Sequence, residues 1–234
     1  MKALIFAAGL GERMRPLTEH TPKPLLMAGG KPLVAWHLER LAGIGVRDVV
    51  INTSWLAEQF PAVLGNGERW GMRISYSYEG PAPLETGGGM LHALRMLDGD
   101  DFIALNGDIW SDFDFTRLPS RPSGRAHLVL VDNPQHHRRG DFVLHDDDAV
   151  GNEGTSRLTF SGIGLYRTSL LDGWRSVIGN TEGAAHDPPR FKLAPLLVAA
   201  MQAGQISGQH HTGAWTDVGT PERLRELDDR LQSG

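Results

Sequence analysis

A chain of 234 residues can bury about 70–75% of its unfolded surface, and with no cysteine it makes neither a disulfide nor a thiolate zinc site, which fits a reducing, cytoplasmic setting. Its 40% hydrophobic and 22% charged residues are ordinary for a globular protein, and a formal net charge of -5 argues against nucleic-acid or polybasic membrane partners. The apolar start "MKALIFAAGL" is too short, and too soon followed by charges, for a signal peptide, and no other run is long enough to span a membrane.

The first element is a buried parallel strand from Lys2 to Ala7, followed by "FAAGLGERMRPLTEHTPKPL". Gly9 and Gly11 begin a dinucleotide fingerprint, but Met14 stands where its third glycine belongs, with Pro16 close behind, so no helix starts at Gly11. Met14 breaks the Walker pattern as well. A glycine turn carrying Arg13, Arg15 and Lys23 remains, suited to a ligand with several phosphates. Pro22 and Pro24 bias Thr21 and Lys23 towards extended backbone and so stiffen the segment that presents Lys23.

Residues 32–44 have helical apolar spacing, with Pro32 suited to the first turn and Gly45 to the stop. A strand is expected at 48–52, a helix interrupted by Pro61 at 56–64, a strand at 72–78, a helix after its glycines at 87–97, and an apolar strand at 101–106. Met90, Leu91, Leu94 and Leu97 read as core. This alternation implies βαβ units and an α/β fold with a parallel sheet flanked by helices. Strands at 126–131, 141–145 and 157–166 have no long helix between them, so the sheet becomes mixed there. A loop at 180–190, a helix at 192–204, a strand at 206–211 and a helix at 220–231 complete the chain, the last capped by Thr220 with Pro221 in its first turn. One domain, residues 1–234, is expected.

In an open parallel sheet, ligands bind beyond the carboxyl ends of the strands, where the loops 8–24, 79–89 and 106–110 would meet. Asp108 closes "NGD", which is either a polar turn or a hard oxygen ligand for Mg2+ after a central strand. Asp217, between a strand and a helix, makes a two-carboxylate site with Asp108 if the fold brings them together. His136/His137 and His210/His211 read as polar surface residues, because neighbours on a strand face opposite ways. "DFD" at 112–114 is formally a glycosyltransferase metal motif and is read as a polar turn.

"AAGLGERMRPLT" with "TPKPL", then "LETGGG", "NGD" and "WTDVGT", in this order, resemble the sugar-1-phosphate nucleotidylyltransferases over nearly the whole chain. The resemblance implies a Rossmann-like nucleotidyltransferase fold, a mostly parallel mixed sheet flanked by helices, with residues 1–110 binding nucleotide and 111–234 mainly binding sugar. It implies that Gly9, Gly11 and Arg13 contact the phosphates, with Ala8 also binding the nucleotide, that Lys23 touches the α-phosphate or the sugar phosphate, and that Asp108 and Asp217 hold Mg2+. Arg13 and Lys23 are then the catalytic residues. Residues 79–88 correspond to the base-recognition segment, with Glu79, Glu85 and Gly88 as nucleotide contacts, and Glu85 stands where the family usually has glycine. Asn106, Arg139, Gly140, Gly162 and Lys192 are the sugar-side candidates. "PLETGGG", "VDNPQHHRRGDF", "LTFSGI" and "FKLAPLL" are most similar to members that use UTP and N-acetylmuramate 1-phosphate in bacterial peptidoglycan recycling. That sugar carries a lactyl carboxylate, for which Arg138, Arg139 and Lys192 are candidate partners or plain surface charges. Guanylyl or thymidylyl transfer, a glycosyltransferase, a non-catalytic nucleotide-sugar sensor and, least of all, a nicotinamide dehydrogenase are the alternatives, and monomer and weak dimer both stay open.

Overall fold

The structure is a computed structural model that describes residues 1–97, 99 and 101–233. Strand β1 (Lys2–Phe6) leads into three 3-10 turns at 12–14, 17–19 and 23–25, with no α-helix at the glycines. A two-stranded ribbon, β2 (Met27–Ala28) and β3 (Lys31–Pro32), precedes α1 (Leu33–Gly43), β4 (Asp48–Thr53), α2 (Gln59–Leu64), β5 (Arg73–Tyr78), α3 (Glu85–Leu97) and β6 (Asp101–Asn106). Then come β7 (Ile109–Ser111), β8 (Ala126–Val131), β9 (Phe142–Leu144), β10 (Val150–Gly151) and the long β11 (Arg157–Arg167). The chain closes with α4 (Trp174–Ile178), α5 (Ala194–Gln202), β12 (Ile206–His211), β13 (Trp215–Asp217) and α6 (Pro221–Gln232).

The first half is a parallel sheet because its apolar strands are joined by crossovers. β1 lies between β4 and β6, and β4 also pairs in parallel with β5. The second half is mixed, as expected: β11 runs antiparallel to β6, β8 and β9, whereas β12 lies parallel to β8. Strand alternation divides the core between the two faces. Leu4 joins Val50, Phe102 and Met90 under α3 and α5, while Ala3 and Ile5 join Val49, Ile51 and Ile103 against Val34, Leu38 and Leu41 of α1.

Three local differences have physical reasons. Pro61 does not interrupt α2: the helix begins at Gln59, so the proline falls in its first turn, where no intrahelical donor is needed. α3 begins at Glu85 and takes Gly87, Gly88 and Gly89 into its first turns. The Phe191 carbonyl accepts hydrogen bonds from the free N–H groups of Gly87 (2.9 Å) and Gly88 (3.0 Å), and a side chain on either glycine would strike the 189–192 segment. Lys23 opens a 3-10 turn rather than an extended segment, with Leu25 N–H donating to the Pro22 carbonyl at 2.8 Å.

The surface assignment fails for His211. It is 6% exposed and bonds through Nε2 to Oδ1 of the exposed Asp112 at 2.8 Å, so Asp112 of "DFD" already partners a buried imidazole, and Asp114 caps the 3-10 turn at 115–117.

Candidate active site

The three central parallel strands end together. Phe6 of β1 stands beside Asn52 of β4 on one side and Asn106 of β6 on the other. Asn52 ties the loops beyond these ends: its Oδ1 accepts from Ala7 N–H at 2.6 Å, and its Nδ2 donates to Glu79 Oε1 at 2.6 Å. Glu79 Oε2 accepts from Leu84 N–H at 2.8 Å. Burial pushes the buried Glu79 carboxyl above the usual range, opposed by the bonds from Leu84 and Asn52. "DVVIN" and "DFIALN" are apolar strands that each end in asparagine, the sequence signal for this pair.

The glycine loop is pinned at both flanks of its tip. Gly11 has φ 64, a left-handed conformation that favours glycine, and its carbonyl accepts from Met14 N–H and Thr18 Oγ1, both at 2.8 Å. Met14 is 1% exposed and packs with Leu26, Leu33, Trp110, Val218 and Leu227. The departure from the dinucleotide fingerprint therefore has a structural cause, since the third-glycine position anchors the loop to α1 and α6 instead of starting a helix.

A cleft of about 590 Å3 runs along this edge, lined by Ala8, Gly9, Gly11, Arg13 and Lys23 on the loop, Asn52, Glu79, Glu85 and Thr86 on one side, and Asn106, Asp108 and Gly219 on the other. Lys23 is 9% exposed, and its ammonium lies 2.5 Å from Asp108 Oδ2. Asp108 and Asp217 meet through their backbones: Val218 N–H donates to the Asp108 carbonyl at 2.8 Å, and Asp217 pairs with Ile109 across β7 and β13. "NGD" is thus no hairpin between paired strands, because β7 leaves the main sheet to pair with β13.

Asp217 Oδ1 is held by Arg223 Nη1 at 2.6 Å and His136 Nε2 at 2.8 Å. Among the described residues no group of three or more His, Asp or Glu forms a ready metal cage. Mg2+ needs none, since it binds through one or two carboxylates and completes its shell with water and phosphate. Asp108 lines the cleft and Asp217 does not; Asp108 Oδ1 and Asp217 Oδ2 bond to no side chain among the described residues, and carboxylate oxygens are the kind of donor that ion takes.

The other candidates are placed less centrally. Gly88 is buried against the Pro189 carbonyl, and Gly162 sits at the irregularity in β11 against the Asn106 side chain. Gly140 packs on Asn133 and Arg157. Arg15, Arg138, Arg139 and Lys192 are exposed and do not line the cleft. The lining cation that sequence reasoning missed is Arg190, 3.7 Å from Glu85 Oε1; nothing in its loop composition marked it. Glu85 has φ 62, a left-handed strain that its usual family glycine would avoid.

The nucleotidyl transferase family model matches residues 2–142, and the chain belongs to that family, whose members generally use a divalent metal. It is 48% identical to N-acetylmuramate alpha-1-phosphate uridylyltransferase of Neisseria meningitidis serogroup B, over 97% of this chain and 96% of that one. The protein of the same name from Caulobacter vibrioides is 31% identical over 98% and 96% of the two chains. Mannose-1-phosphate guanylyltransferase of Mycobacterium tuberculosis is 35% identical over 94% of this chain, which spans 61% of that protein. The fold matches HddC from Yersinia pseudotuberculosis complexed with GMP-PN, with a TM-score of 0.75 at 20% identity over 98% and 99% of the chains. It also matches a Bacillus anthracis protein crystallised with sucrose, with a TM-score of 0.82 at 20% identity over 100% and 96%.

Proposed function

We propose that the protein transfers UMP from UTP to N-acetylmuramate 1-phosphate, giving UDP-N-acetylmuramate and pyrophosphate, as a cytoplasmic step of peptidoglycan recycling. The observation that carries this reading is the cleft that joins Arg13 and Lys23 to Asp108, in a chain matching nearly the full length of the Neisseria uridylyltransferase. In this account residues 1–110 supply the nucleotide side and 111–234 mainly the sugar side of one domain.

An oxygen of the sugar phosphate, already ionised near neutral pH, attacks the α-phosphorus of UTP. The new O–P bond forms as the bond from the α-phosphorus to the bridging oxygen breaks, and pyrophosphate leaves with that electron pair. No protein nucleophile is required, so the residues act by alignment and charge. The amides of the Gly9–Gly11 loop and Arg13 bind the triphosphate and stabilise the departing pyrophosphate. Lys23 reaches the α-phosphate or the attacking phosphate from the floor of the cleft. Glu79, held by Asn52 and Leu84, and Glu85 with Thr86 face the nucleoside, while Asn106 faces the sugar. Mg2+, held by Asp108 and Asp217, supplies charge neutralisation and alignment of the phosphates when bound.

Pyrophosphate release is to be measured with UTP, dTTP, GTP and CTP against N-acetylmuramate, N-acetylglucosamine, mannose and glucose 1-phosphates. The reading expects the highest kcat/KM for UTP with N-acetylmuramate 1-phosphate. Preference for GTP with mannose 1-phosphate, or dTTP with glucose 1-phosphate, would replace it with the corresponding activity.

A further inference from the structure

Three basic side chains line the cleft, and two of them, Arg13 and Lys23, belong to the glycine loop. The third is Arg190, from the other half of the chain. We propose that Arg190 and Glu85 together read the base, Arg190 donating to the O4 carbonyl of uracil and Glu85 accepting from the neighbouring ring N–H. Arg190 is thereby a specificity-determining residue for UTP against CTP. The inference rests on the reading that UTP is the substrate and that its nucleoside faces Glu79, Glu85 and Thr86, and it adds a residue from beyond that segment.

The backbone around Arg190 is tied to the turn that carries Glu85. Arg190 N–H donates to the Gly183 carbonyl at 2.8 Å, Phe191 N–H to the Leu84 carbonyl at 3.1 Å, and Leu193 N–H to Thr86 Oγ1 at 3.1 Å. The Phe191 carbonyl in turn accepts from Gly87 and Gly88 N–H. Gly88 leaves no slack between the two segments: a Cβ there would stand 2.4 Å from the Pro189 carbonyl oxygen and 3.3 Å from Arg190 Cα. A side chain that leaves so fixed a backbone has less freedom to lose on binding a ligand.

The two charged heads complement one edge of uracil. Arg190 Nη2 lies 3.7 Å from Glu85 Oε1, an ion pair too long to be a hydrogen bond, so the guanidinium keeps donors for a ligand and the carboxylate keeps acceptors. Uracil presents a carbonyl oxygen beside a ring N–H, whereas cytosine presents an amino group beside a bare ring nitrogen, the reverse order. A donor and an acceptor held in one order therefore favour uracil, and the wrong base leaves both without a partner.

Charge decides between the base and the lactyl carboxylate of the sugar as the group that meets Arg190. Arg190 is paired with Glu85, and Glu79 accepts from the N–H of Leu84, the residue before Glu85, so this end of the cleft carries two carboxyl groups against one guanidinium. A further carboxylate is repelled there, whereas an uncharged base is admitted. Glu85 also holds φ 62, which glycine would adopt without strain, and strain of this kind collects where a side chain serves a ligand.

The test measures binding of UTP and CTP to the full-length protein by calorimetry with Mg2+ present, and kcat and KM by pyrophosphate release with N-acetylmuramate and N-acetylglucosamine 1-phosphates. Wild type is expected to prefer UTP over CTP by about tenfold or more. Arg190→Met is expected to weaken UTP binding about tenfold, to leave CTP nearly unchanged and to raise KM for UTP more than it lowers kcat, with the ratio between the two sugars preserved. Arg190→Lys keeps a donor and is expected to recover part of the UTP affinity. Glu85→Gly, relieved of strain, is expected to melt no lower than wild type and yet to lose the preference for UTP. Thermal melts show that each variant folds. Unchanged UTP affinity in folded Arg190→Met, or equal losses on UTP and CTP, would overturn the assignment and leave UMP transfer intact. A loss confined to N-acetylmuramate 1-phosphate would overturn it too, giving Arg190 to the lactyl carboxylate. A wild type that does not prefer UTP would remove the reading on which the assignment rests, and the assignment with it.

Discussion

Lys23 reaches the cleft as an ammonium whose partner is a carboxylate 2.5 Å away, in a side chain that is 10% exposed. Lys23→Met keeps much of the stem and deletes a charge-assisted contact worth about 1.5–3 kcal/mol before any effect on the transition state. Turnover is expected to fall by more than UTP affinity, read by comparing kcat with the UTP dissociation constant. A rise in the Michaelis constant for UTP alone would make Lys23 a passive triphosphate contact. Asp108→Asn and Asp217→Asn are expected to keep the fold and lose nearly all turnover, since an amide preserves size and removes the charge that holds a divalent ion. Near-normal activity at limiting Mg2+ in both would contradict the assignment. Arg13, Lys23 and Asp108 were legible because glycines, prolines and a strand end frame them within short stretches. Asp217 was read from its strand-to-helix setting and Arg223 lies only six residues on, but His136 reaches Asp217 from a distant loop, which no local pattern encodes, and Arg190 lies in a loop whose path over α3 depends on packing.

The start of α3 joins the nucleotide side of the cleft to the second half of the chain. Phe191 stacks on Trp174 with centroids 4.5 Å apart and planes at 7°, while its carbonyl closes the first turn of α3 and its N–H donates to the Leu84 carbonyl at 3.1 Å. The sequence places the helix after the three glycines, yet they lie inside it, where backbone from 189–192 crosses at contact distance. Periodicity marks the apolar stripe of a helix and is silent on a face that meets backbone. Gly88→Ala places a methyl against the Pro189 carbonyl, so overpacking is expected to cost about 1–3 kcal/mol. In a chain of this size that lowers Tm by several degrees. Gly43→Ala, at the open end of α1, is the control and is expected to leave Tm unchanged or slightly higher. Equal melting of the two variants would show that the crossing segment yields without cost.

At the scale of the molecule, one mixed sheet runs through both halves of the chain, and the core around it includes a titratable group that links stability to acidity. His37 of α1 is 3% exposed; burial, with the nearby Arg40, lowers its pKa from 6.5 to about 4. A base whose folded pKa is depressed contributes stability fully above its unfolded pKa, and this is lost as pH falls from about 6.5 towards about 4. The contribution is about 3 kcal/mol over that interval. Burial lowers His127 in the same direction. Denaturant unfolding of wild type and His37→Gln across this range is expected to give curves that converge on acidification; parallel curves would show that His37 is not the linked group. The parallel half of this architecture followed from alternating apolar segments, whereas the pairing of β7 with β13, which carries Asp108 to Asp217, involves strands too short to register as periodic. Transfer of UMP by attack at the α-phosphorus is to be followed with a radiolabel at the α-phosphorus of UTP in the presence of N-acetylmuramate 1-phosphate. The label is expected in UDP-N-acetylmuramate, with unlabelled pyrophosphate released in equal amount; label remaining in UTP, or recovered in free UMP or UDP with no nucleotide sugar formed, would contradict the account.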